Sequence, residues 1–66
     1  MLIVVNGERR EVREALTLRA LLDEERTPAS FVLVEVNGVY VPLRRGEDRK
    51  IVDGDCVEII LPAVGG

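Results

Sequence analysis

Two Asn-Gly dipeptides, Asn6-Gly7 and Asn37-Gly38, each stand between short runs of aliphatic residues. Asn-Gly accepts the positive φ angles of a type I′ turn, whose twist matches that of paired strands, so each dipeptide predicts a tight hairpin. "LIVVNGERREV" gives strands over residues 2–5 and about 8–14, and "FVLVEVNGVYVP" gives a second pair. Pro42 suits the end of an edge strand better than the middle of a sheet. Between the hairpins, Leu18, Leu21, Leu22 and Glu25 fall at helical spacing, with Thr17 placed to cap the first turn through its hydroxyl. Pro28 disfavours helical geometry at Thr27, which predicts a helix end near Arg26. "LRRGEDRK" has no apolar period and reads as a surface loop, and "IVDGDCVEIIL" supplies an Asp-Gly turn and a last strand over 56–61.

The order is therefore strand, strand, helix, strand, strand, strand. A helix joining two hairpins buries its leucine stripe against the sheet, and one helix covers only one face. This is the layout of an α+β β-grasp, or ubiquitin-like, fold: a mixed sheet of about five strands with one helix packed on one face. In it the first and last strands lie side by side in parallel at the centre. A chain of 66 residues buries only about 60% of its unfolded surface, so no second domain fits. Phe31 and Tyr40 are the only aromatic residues, which leaves Val, Leu and Ile to build the core. The expected organisation is a β-grasp domain over 1–61 and a flexible tail over 62–66.

Alternation decides what the uncovered face carries. If Val57, Ile59 and Leu61 point to the helix, Cys56, Glu58 and Ile60 point away, and either Phe31, Leu33 and Glu35 or Val32, Val34 and Val36 join them. Phe31, Leu33 and Ile60 are the candidate partner patch, because monomers seldom leave large apolar patches in water. The competing reading covers them with the helix, the loops and residues 44–50.

Several chemistries are excluded. The chain has no histidine, so His-based nucleophile systems and His-containing metal sites are absent, and no catalytic residue or bound metal is expected. Asp23, Glu24 and Glu25 fan out around the helix, while "DGD" at 53–55 lacks the further acidic ligands of an EF-hand loop; both read as solvated helix face and turn. Cys56, the only cysteine, could carry a persulfide but has no histidine beside it, and reads as a structural cysteine. Glu47 and Asp48 dilute the basic residues Arg44, Arg45, Arg49 and Lys50, which read as a solvated loop. A net charge of −3 argues against nucleic acid. "MLIVVNGERR" turns polar too soon for a signal peptide or a membrane helix, so a cytoplasmic monomer is expected.

"LPAVGG" remains. A terminal carboxylate is ionised at neutral pH and acylates poorly until its oxygen becomes part of a better leaving group. An acyl adenylate formed with ATP provides one. Residues without a Cβ let a tail thread a narrow channel and adopt φ and ψ values closed to others. Gly65 and Gly66 meet that need, with Val64 leading into them and the Gly66 carboxylate as the reactive group.

"VVNGE" near the start, "VEVNGVYVP" at 34–42, "VDGDCVEII" at 52–60 and the closing "VGG" together resemble the ubiquitin-like sulfur carriers of bacteria, most closely the ThiS-type carriers of thiamin biosynthesis. These segments span nearly the whole chain. The resemblance implies that a ThiF-type adenylyltransferase uses ATP and Mg to adenylate Gly66, that a persulfide donor converts it to a thiocarboxylate, and that the sulfur passes to a ThiG-type thiazole synthase. The chain would then be a protein co-substrate, not an enzyme. A MoaD-like carrier for molybdopterin, or a carrier for tRNA thiolation or protein modification, would use the same tail. From another class, a TGS-like or other β-grasp binding module would use its sheet face and have no need of the terminal carboxyl.

Overall fold

The computed structural model describes residues 1–28, 30, 32–43 and 48–62. The elements follow in the order β1 (Leu2–Val5), β2 (Glu8–Glu11), α1 (Leu18–Glu24), β3 (Leu33–Val36), β4 (Val39–Val41) and β5 (Cys56–Ile60). They form one five-stranded sheet in the order β2-β1-β5-β3-β4, with β1 and β5 parallel at its centre and all other neighbours antiparallel. This is the expected β-grasp arrangement.

Both Asn-Gly turns form as their chemistry requires. Asn6 and Gly7 have φ of 49° and 84°, and Asn37 and Gly38 have 54° and 78°. Asn tolerates this left-handed region and Gly has no Cβ to oppose it.

Thr17 caps α1 as expected, its Oγ1 accepting from the Ala20 N–H at 3.2 Å. The helix ends at Glu24, short of Arg26, and the reason is local. Arg26 turns left-handed with φ of 56°, its N–H donates to the Asp23 carbonyl, and the Thr27 N–H donates to the Leu22 carbonyl. Those two bonds make a Schellman close, which satisfies helix-end carbonyls that would otherwise lack donors. The end is set here, two residues before Pro28 imposes its own restriction.

Two strands are also shorter than expected. Val12 still donates to the Met1 carbonyl, but the chain then turns at Ala15, whose φ is 64°. At the other end β5 stops at Ile60, and Leu61 is 71% exposed.

The core lies between α1 and one face of the sheet. Leu18, Leu21 and Leu22 of the helix meet Ile3 and Val5 of β1, Val34 and Val36 of β3 and Val57 of β5, all buried, with Leu16, Val32 and Ile51 completing the cluster. Glu25, the polar member of the helical stripe, is half-buried and pairs with Arg10 of β2. Residues 49–51 run alongside the start of the helix: the Leu18 N–H donates to the Arg49 carbonyl and the Ile51 N–H to the Leu16 carbonyl. That places them beside α1.

Candidate functional site

The structure resolves the choice that alternation left open. Leu33 is directly opposite Ile60, and Glu35 opposite Glu58, across the β3–β5 ladder. Their neighbours Val34, Val36 and Val57 are buried under the helix, so Leu33 and Glu35 share the uncovered face with Cys56, Glu58 and Ile60. Leu33 and Ile60 are 45% and 37% exposed, and Tyr40, opposite Glu35, is 57% exposed. Two members of the expected patch are thus paired in one exposed row. Phe31, the third, lies outside the described residues, as do Val64, Gly65 and Gly66.

This face is held by β5, and β5 by both hairpin turns. In the parallel ladder the Val4 N–H donates to the Asp55 carbonyl and the Asn6 N–H to the Val57 carbonyl. Continued pairing would next bring the Ile59 N–H to the Asn6 carbonyl. The positive φ at Asn6 begins the turn, and the Asn6 side chain takes over that link, its Oδ1 accepting from the Ile59 N–H at 2.8 Å. The second hairpin does the same: the Asn37 N–H donates to the Cys56 carbonyl at 2.7 Å, and Asn37 Oδ1 accepts from the Cys56 N–H at 2.9 Å.

Asp55 completes the brace. It is only 4% exposed, and its carboxylate accepts from Asn37 Nδ2 and from the Val52 N–H, each at 2.9 Å. A buried carboxylate persists where both oxygens are partnered. Asp53 Oδ1 in turn accepts from the Leu2 N–H at 2.7 Å. The expectation that 53–55 is only a solvated turn is corrected: its carboxylates fasten the start of β5 to β1 and to the second hairpin. Sequence reading missed Asn6, Asn37 and Asp55 as braces, because the bonds Asn6–Ile59, Asn37–Cys56 and Asn37–Asp55 join residues 18 or more apart in the chain.

Cys56 is exposed on the open face, the side on which alternation placed it with Glu58 and Ile60. Asp23 and Glu24 are exposed as expected, and Glu24 pairs with Arg13 at 2.8 Å. Among the described residues no three His, Cys, Asp or Glu side chains gather to hold a metal ion, and no helix is long and apolar enough to cross a membrane. The described surface around β5 therefore combines an exposed apolar row, a pair of carboxylates and the strand that leads to residues 62–66.

Residues 3–66 match the family model of the ThiS family. Among solved structures the chain is similar to the thiamine biosynthesis protein ThiS from Geobacter metallireducens, with 32% sequence identity, 100% of each chain covered and a TM-score of 0.83. A search of curated proteins found no match.

Proposed function

Because the chain belongs to the ThiS family, whose members are small sulfur carriers rather than enzymes, we propose that it carries sulfur for the thiazole moiety of thiamin on the carboxylate of Gly66. The body over 1–61 presents a tail over 62–66. A ThiF-type adenylyltransferase binds Mg-ATP, and the Gly66 carboxylate attacks the α-phosphate, releasing pyrophosphate and forming an acyl adenylate. Sulfur from a persulfide donor, with a reductant cleaving the S–S link, displaces AMP and leaves the thiocarboxylate. A ThiG-type thiazole synthase then accepts the sulfur. Val64 and Gly65 thread the partners' channels, since glycine offers no Cβ to obstruct a narrow passage.

The single observation that carries this reading is the family match over 3–66, which includes the Gly-Gly end. The geometry supports it, because β5 is braced on both sides and gives residues 62–66 a rigid origin. Leu33 and Ile60 form the docking patch for the adenylyltransferase, with Phe31, two residues before β3 in the sequence, as its third member.

Intact mass spectrometry after incubation with the adenylyltransferase, Mg-ATP and a persulfide donor tests the proposal. The expected product is heavier by the difference between a sulfur and an oxygen atom, and the variant lacking Gly66 stays unchanged while remaining folded. Sulfur uptake by that truncated variant would remove Gly66 from the reaction. A tail that gains sulfur but delivers it to molybdopterin synthesis or tRNA thiolation, and not to the thiazole synthase, would move the chain to one of the other carrier pathways.

A further inference from the structure

Glu35 and Glu58 are direct cross-strand partners on the open face. Residues so placed have Cβ atoms about 4.5–5.5 Å apart, and like charges there oppose strand pairing. Neither can swing to the core side, because Val34, Val36 and Val57 fix the strand faces. The register cannot slip, because Asn37 fastens β3–β4 to Cys56. Among the described residues the ion pairs are Met1 with Glu14, Arg10 with Glu25 and Arg13 with Glu24, so neither Glu35 nor Glu58 has a cationic partner there. The fold thus sets two glutamates side by side on the uncovered face, Glu35 half-buried and Glu58 exposed.

Their surroundings define what fits. Tyr40 lies opposite Glu35 on the other side, and the apolar pair Leu33–Ile60 forms the adjacent row. A second copy of the chain would bring two more carboxylates against these two on a molecule already at net charge −3. An arginine side chain complements the site: its planar guanidinium carries five donors and can bridge two carboxylates, its charge favours an aromatic face, and its methylenes suit apolar neighbours.

We propose that the Glu35–Glu58 pair receives an arginine from the adenylyltransferase that docks on this face. This rests on the carrier reading above and names the ionic centre of the same docking surface. The arrangement trades a little stability of the free carrier for affinity in the complex, since a charge pair desolvated at an interface couples more strongly than one in water.

The test pairs folding with binding. The double variant Glu35→Gln/Glu58→Gln removes the repulsion, and its thermal midpoint rises by about 1–6 °C. Its affinity for the ThiF-type adenylyltransferase, read by calorimetry, falls about tenfold or more, and the salt dependence of binding flattens. A control, Glu8→Gln/Asp23→Asn, removes two charges elsewhere and stays within about twofold of wild type. Equal binding by the Glu35/Glu58 variant, or an equal loss in the control, overturns the proposal while leaving the carrier reading intact. If the wild-type chain is neither bound nor adenylated, the carrier reading fails first and this inference fails with it.

Discussion

The two faces of the sheet are built from the same strands and behave as different materials. Under α1, the residues Val34, Val36 and Val57 are at most 2% exposed. On the other side of the same sheet, Leu33, Ile60 and Tyr40 stand 37–57% exposed, with Glu35 and Glu58 among them. Period-2 alternation lets a short chain place stability on one side and recognition on the other without adding a residue. The difference teaches that apolar side chains on β3 and β5 cannot be assigned to the core by type; only their side of the sheet tells what they do.

Ranked by cost to folding, the first way to break this contrast is Leu22→Ala on the covered side. It should cost about 2–5 kcal/mol, comparable to the whole stability of about 3–5 kcal/mol expected for a core this size, and urea unfolding followed by circular dichroism should show a largely unfolded population.

Next comes the brace. Asn37→Gly keeps the turn, because glycine accepts φ of 54°, but strands the Cys56 N–H and one oxygen of buried Asp55. A loss of about 2 kcal/mol is expected, against about 1 kcal/mol for Asn6→Gly, which strands only the Ile59 N–H. Equal midpoints for the two variants would remove Asp55 from the account.

Ile60→Asp on the open side should cost no more than about 1 kcal/mol in the same measurement, yet sharply weaken binding to the adenylyltransferase. Global unfolding instead would put Ile60 in the core and dissolve the contrast. Smallest and opposite in sign, Arg26→Gly should stabilise the chain by up to about 1 kcal/mol, since a left-handed residue with a Cβ is strained.

Much of this fold was legible because its signals are local. Asn-Gly turns, the Leu18, Leu21, Leu22 stripe and the Thr17 cap each need only a few neighbouring residues, and together with the Gly-Gly end they carried the family resemblance. Pro28 located the helix end only to within two residues, because a Schellman close can form on Arg26 without the glycine that usually marks it. The face of β3 stayed ambiguous because Phe31, Leu33 and Val32, Val34, Val36 are apolar in both registers. Asp55 was hidden for a different reason: its burial depends on Asn37, eighteen residues away in the chain and adjacent only after β3 and β5 pair.

The division of labour between the two faces is tested most directly by methyl NMR of the carrier titrated with the ThiF-type adenylyltransferase. The account predicts that the methyl resonances of Leu33 and Ile60 shift or broaden on binding, while those of Leu18, Leu21 and Leu22 do not change. Perturbation confined to the helix leucines, with Leu33 and Ile60 unaffected, would contradict it.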